Sequence, residues 1–276
     1  DRDHLEKAYV GLRSAGFDEW VFKDTEDFAG VRWARERGVD LRELKLEYKG
    51  CQERDEVLWM LVRDEMEDMA TYYATRSDAK DMADGCTLRE ASKLGYLTVI
   101  RYILERGTET VDKSDNWGWT PLYHASYHGH VEVVKALLAA KAEVNKSSIS
   151  GRTPLHEASS KGHVEVVKAL LAAKAEVDKS DIDAWTPLHE ASSQGHLEVV
   201  KALLAAEAEV DKSDDFGCTP LHTASRRGHV EAVKTLLAAE AEVNKSDNDG
   251  RTPLRAAIVC SHHEVAAVLR EAGGHE

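Results

Sequence analysis

Gly151-Arg152-Thr153-Pro154-Leu155-His156-Glu157-Ala158 decides how this chain is read, because its central tripeptide recurs. Thr-Pro-Leu starts at Thr120, Thr153, Thr186, Thr219 and Thr252, each 33 residues after the one before (153 − 120 = 33, and so on to 252). A fixed period between about 20 and 50 residues marks stacked units, each burying a face against its neighbours. Within one unit the local chemistry spells a helix start. Gly151 supplies a turn, the Thr153 hydroxyl stands where an N-cap accepts an orphan backbone N–H, and Pro154 falls at the first helical position, where its missing N–H is not needed. This short helix stops at Gly162. His163 opens a second, in which Val164, Val167, Leu170 and Leu171 recur at the spacing of one helical face. Two antiparallel helices and a turn of about 12 residues cannot bury their own apolar face, so stacking is required.

The six-residue pattern T-P-L-H-x-A is complete at 153–158, 186–191 and 219–224. With the 33-residue period it resembles the ankyrin repeat family, over residues 84–276. The resemblance implies an all-α solenoid of about six helix-turn-helix repeats that serves as a binding scaffold. Degenerate copies bound the array: Gly85-Cys86-Thr87-Leu88-Arg89-Glu90-Ala91 lacks the proline, Arg255 replaces the motif histidine, and Ser261-His262 replaces Gly-His. Terminal units face solvent on one side and are expected to be atypical. One departure from the family pattern is systematic. Where such units place glycine after the second helix, the four internal copies carry Lys141, Lys174, Glu207 and Glu240, and only Gly107 and Gly273 keep it. A side chain in the left-handed conformation costs roughly 1–2 kcal/mol, so these repeats either carry that strain or end their helices differently.

Residues 1–83 show no 33-residue repeat and read as helical, forming an N-terminal cap or a small independent domain beside the array at 84–276. Leu5, Ala8, Tyr9 and Leu12 form one stripe, Phe28, Val31 and Ala34 another, and Leu58, Leu61, Val62, Met66, Met69 and Tyr73 a third on a long amphipathic helix over about 53–75. Gly16, Gly38 and Gly50 are the expected stops.

The net charge of −14 divides evenly: residues 1–82 contribute 14 − 21 = −7 and the remainder 22 − 29 = −7. Neither part is a basic lobe of the kind that displaces counterions from nucleic acid. An acidic surface of this sort meets proteins more readily than phosphates. No apolar run approaches the 18 or more residues of a membrane span, and no segment has signal-peptide layout. Cys51, Cys86, Cys218 and Cys260 are scattered without paired spacing, as free thiols of a reducing compartment would be. The expectation is an intracellular, cytoplasmic, soluble protein. The start at Asp1 reads as a fragment or processed product, with an organelle reached after loss of a targeting peptide as the alternative.

Catalytic patterns are absent: there is no phosphate-cradling glycine loop, no Gly-x-Ser-x-Gly, no His-Glu-x-x-His and no paired-cysteine metal motif. The reading is therefore no enzyme, no cofactor, no metal and no small-molecule substrate. Most histidines sit on the repeat lattice. His130, His163, His196 and His229 follow glycine, and His156, His189 and His222 follow Thr-Pro-Leu, positions that serve what every unit needs. His124 and His128 lie off it at i, i+4, a spacing able to hold a metal but more commonly solvated. Glu65 and Asp68 read as the wet face of the long helix.

Positions that vary between copies are free of the duty of making the fold and can face a partner. In the turns these include Asn116, Trp117, Trp119, Ile149, Arg152, Ile182, Trp185 and Phe216, and on the first helices Tyr127, His128, Arg226 and Arg227. The family resemblance places turns and first helices along a concave groove. Aromatic residues and arginine are the usual anchors of interfaces, although tryptophans can also pack across adjacent turns. The favoured reading is a non-catalytic adaptor gripping a protein partner. An assembly subunit held through the N-terminal helices is the second reading, and a regulator or enzyme acting through residues 1–83 the third. Asn145 and Asn244 also resemble asparagines hydroxylated in ankyrin repeats; Asp178 and Asp211 at the same positions argue for a shared turn role instead.

Overall fold

The computed structural model describes residues 19–22, 45–48, 86–105 and 111–276. Two short strands, β1 (Glu19–Phe22) and β2 (Lys45–Tyr48), pair in parallel with Trp20 opposite Leu46. The helical expectation for residues 1–83 is corrected at these eight positions. Trp20-Val21-Phe22 is rich in strand-forming types, and Lys45-Leu46-Glu47-Tyr48 alternates with the period of two that a strand requires. The N-terminal stripes and the helix expected over about 53–75 lie outside the described residues.

Twelve helices follow among the described residues, in six pairs, as the repeat count anticipates. They are α1 (Cys86–Leu94), α2 (Leu97–Glu105), α3 (Pro121–His128), α4 (Val131–Ala139), α5 (Pro154–Lys161), α6 (Val164–Ala172), α7 (Pro187–Gln194), α8 (Leu197–Ala205), α9 (Pro220–Arg227), α10 (Val230–Ala238), α11 (Pro253–Val259) and α12 (His263–Glu271). First helices pack on first helices in one layer, and second helices on second helices in the other. Helices of two turns are marginal alone, so this packing holds them. The core runs continuously between the layers: Leu155 and Ala158 from α5 meet Val166, Val167 and Leu170 from α6, and every repeat places buried residues at these positions.

Thr153 Oγ1 accepts from the His156 N–H, and His156 Nδ1 accepts from the Thr153 N–H at 3.1 Å, a reciprocal cap repeated at Thr186 and Thr219. Since Nδ1 accepts, Nε2 carries the proton, and it donates to the Trp185 carbonyl of the next repeat at 3.0 Å. Burial pushes the His156 pKa down to about 4, which keeps the ring neutral in that role. The histidines after glycine work differently. His163 Nε2 donates to the Tyr127 carbonyl at the end of α3, and His196 to the Ser160 carbonyl at the end of α5.

Lys141, Lys174, Glu207 and Glu240 are left-handed, with φ between 63° and 65°. The strain is therefore accepted. The second helices that end at these four residues close in the glycine-type C-terminal motif: in α6, Ala175 N–H donates to Leu170 O at 3.0 Å and Lys174 N–H to Leu171 O at 2.9 Å. At the ends of the first helices glycine is required, because a side chain there would run into the histidine of the next repeat. A Cβ on Gly162 would stand 2.8 Å from the His196 ring, whereas Lys174 is exposed to solvent.

Candidate functional site

Each turn before Thr-Pro-Leu is a hairpin tip organised by the residue five positions ahead of the threonine. Asp181 N–H donates to Trp185 O at 2.9 Å, while Asp181 Oδ1 accepts from the N–H groups of Asp183 and Trp185. Asp115, Asp214 and Asp247 repeat the arrangement. Neighbouring tips are then tied together, Ile149 N–H to Trp117 O at 3.0 Å, Ile182 N–H to Ser150 O at 3.1 Å and Asn248 N–H to Phe216 O at 3.0 Å. The tip backbones satisfy one another along the row, and four large apolar tip side chains take no part in that bonding and point outward. Trp117, Ile149, Ile182 and Phe216 are 63–68% exposed in consecutive tips, and Asn116 is exposed beside them.

Trp119 and Trp185 behave otherwise. Trp119 stacks on Tyr123 at 5.0 Å and on Tyr127 at 6.3 Å, with the His124 edge against it. Trp185 donates from Nε1 to Asp214 Oδ2 at 3.0 Å and lies over His189. Both are partly buried by the array itself. Tyr127 is covered by the Lys161 ammonium, 4.5 Å above its ring, a favourable cation–π geometry. His128 packs edge-on against Tyr127 and stacks at 6.0 Å on His130, yet remains exposed, as are Arg226 and Arg227 on α9.

Arg152 is an internal clamp. Its Nε donates to Glu157 Oε1 at 2.6 Å, its Nη1 to Glu190 Oε1, and Asp181 Oδ2 lies 3.7 Å away. Tyr123 donates its hydroxyl to the same Glu157 oxygen at 2.6 Å, so one network joins three successive repeats. Burial, then the Glu157 hydrogen bond, raises the Tyr123 pKa and holds its proton in place. Glu157 and Glu190 escaped the comparison of copies because they are the same in two repeats. Their signal was the placing of an acid on a helix face whose neighbours are Leu155, Ala158 and Ser159, where a carboxylate needs a partner.

His124 Nε2 stands 3.6 Å from Asp115 Oδ2, with its pKa lowered by burial. Among the described residues no three His, Cys, Asp or Glu side chains are grouped to hold a metal ion. Asn145 spends both ends of its amide on Glu176, accepting from its N–H and donating to its carboxylate, and Asp178 accepts from the Glu209 N–H at the next level. Asn and Asp thus fill one lattice role. At the far end of the first-helix layer, a recess of about 370 Å³ opens between α9, α11 and the tips ahead of them, lined by Arg226, Asp247, Arg251, Arg255 and Val259 among others. Cys218 borders it with its thiol pushed up to about 11 by burial, and is correspondingly unreactive.

A family model for ankyrin repeats (3 copies) matches residues 51–148, 88–181, 142–214 and 188–275. This chain belongs to the ankyrin repeat family. As a family, ankyrin repeats mediate protein–protein interaction. Among curated proteins the chain is similar to ankyrin repeat and SOCS box protein 3 of Bos taurus, 39% identical over 64 residues, covering 23% of this chain and 12% of that protein. It is similar to 26S proteasome non-ATPase regulatory subunit 10 of Dictyostelium discoideum, 35% identical over 79 residues, covering 29% of this chain and 34% of that protein. It is also similar to 2-5A-dependent ribonuclease of Mus musculus, 35% identical over 60 residues, 22% of this chain and 8% of that protein. The matched segments span between 8% and 34% of these relatives. Among the described residues no helix is long and apolar enough to cross a membrane.

Proposed function

We propose that this ankyrin repeat chain is a non-catalytic scaffold that binds a protein partner across its row of hairpin tips and the first helices beneath them. The observation that carries the reading is the row Trp117, Ile149, Ile182 and Phe216: four large apolar side chains exposed in consecutive tips, where the fold asks nothing of them. Leaving such a row in water is unfavourable unless something covers it, and a specific partner needs only about 800 Å² per side. Trp117 and Phe216 are the anchors, since buried aromatics carry most interface energy. Trp119, Trp185 and Arg152 shape the surface from below and are poor test sites, because truncating them perturbs the array.

A formal charge of −14 disfavours nucleic acid as the partner. Similarity to a proteasome regulatory subunit favours a second reading, in which the chain is a stable subunit of an assembly. The division at 83/84 belongs to the same proposal, with the matched region beginning one repeat length earlier (84 − 51 = 33). The test is affinity purification with the parent chain and with Trp117→Ala/Ile149→Ser/Ile182→Ser/Phe216→Ala. Partners retained by the parent and lost by the variant support the tip surface; equal recovery from both sinks it. Recovery in one stoichiometric complex selects the subunit reading.

A further inference from the structure

The two ends of the first-helix face differ in chemistry. Toward the N-terminal end lie the stacked rings Trp119, Tyr123 and Tyr127. The C-terminal end carries arginines instead, three of them around the recess of about 370 Å³: Arg226 from α9, Arg251 from the tip and Arg255 from α11. Arg251 faces Asp249 at 3.2 Å and Arg255 faces Glu276 at 3.0 Å, both pairs at least half exposed, and Asp247 spends its Oδ1 on the backbone of its own tip. Among the described residues Arg226 has no ion pair, its backbone carbonyl alone being used by His262. One wall is apolar, with Val259 67% exposed.

We infer that this recess takes an acidic peptide segment of the partner, seating one or two Asp or Glu carboxylates on Arg226, Arg251 and Arg255 with a neighbouring aliphatic side chain against Val259. The inference rests on the first-helix face being the partner surface. Charge complementarity decides the occupant: the lining carries three guanidinium groups against the single carboxylate of Asp247, and the other two acids, Asp249 and Glu276, are exposed and exchangeable. Guanidinium groups pair carboxylates bidentately and keep their charge when desolvated. Glu276 on Arg255 is an exchangeable carboxylate of the kind the recess would accept. A polyphosphate backbone fits less well, because Asp247 stands inside the lining and the chain as a whole repels polyanions. The volume suits two or three side chains, too few for a folded domain and enough for a linear segment.

A random 12-residue display library panned on the intact chain tests this. The expected result is enrichment of segments pairing Asp or Glu with Leu, Ile or Val, with binding weakened at least tenfold by Arg226→Glu/Arg251→Glu and by raising salt. Both side chains are exposed, so an unchanged melting temperature confirms that the variant folds. Enrichment of neutral or basic segments, no enrichment, or indifference to the arginine changes overturns the inference. Tighter binding of a dT20 oligonucleotide than of any enriched peptide overturns it in favour of nucleic acid. If the natural partner is lost on changing the four tip residues yet kept by the arginine variant, the tip surface stands and the acidic-segment inference alone fails.

Discussion

Lys174→Gly should stabilise the array. Lys174 has φ 63°, lies in solvent, and closes α6 through two backbone hydrogen bonds that a glycine makes equally well. Removing Cβ from a left-handed residue relieves roughly 1–2 kcal/mol, while glycine's larger unfolded freedom takes back about 0.4–1 kcal/mol. The net is about 0.5–1 kcal/mol, a rise of about 1–4 °C in melting temperature for an array of this size. Lys141, Glu207 and Glu240 stand in the same conformation one repeat apart each, so the four changes together should add to about 2–4 kcal/mol. Two lysines and two glutamates are removed, which leaves net charge unchanged. Guanidinium-induced unfolding followed by circular dichroism reads the effect as a higher midpoint at constant slope. A lower midpoint for Lys174→Gly would show the opposite, that the side chain contributes more than the strain it causes.

Gly162→Ala should do the opposite at the same kind of backbone angle, losing about 2 kcal/mol or more, because its Cβ would meet the His196 ring at 2.8 Å in addition to the left-handed strain; the same unfolding titration reads it. Stability should also fall as pH drops from about 6.5 toward 4. His156, His189 and His222 are all held neutral by burial in the folded chain, so the unfolded state binds more protons across that window, and His156 alone accounts for on the order of 3 kcal/mol; melting temperature against pH checks it. Arg152→Ala should destabilise by about 3–5 kcal/mol, leaving Glu157 and Glu190 buried without their cation, and Glu157→Gln in the same chain should recover part of the loss.

The repeats were legible because each unit states its own helix start, stop and apolar face, and five statements at one spacing leave a single architecture. The histidines were legible for the same reason: a residue present at every level serves the lattice, and the structure assigns each one a carbonyl in the adjoining repeat. Strands β1 and β2 were not legible, since four-residue segments carry too little periodicity to compete with the helical patterns around them. Comparison of copies separated variable from fixed positions but could not tell an exposed tip from a packed one. Trp117 and Trp119 are two residues apart in sequence, yet one points into solvent and the other lies on Tyr123, and only the backbone path of the hairpin distinguishes them. Arg152 looked free because its acidic partners come from Glu157 and from the next repeat, 38 positions on at Glu190.

Site-specific photo-crosslinking on the native partner tests the central claim most directly. A photoreactive residue replaces Trp117, Ile182 or Phe216 on the tips, or Lys135, Lys168 or Lys201 on the exposed face of the second helices. Cross-links are expected from the tip positions and none from the second-helix positions. Cross-linking from the second-helix face, with the tips silent, would show that the partner does not sit on the tips.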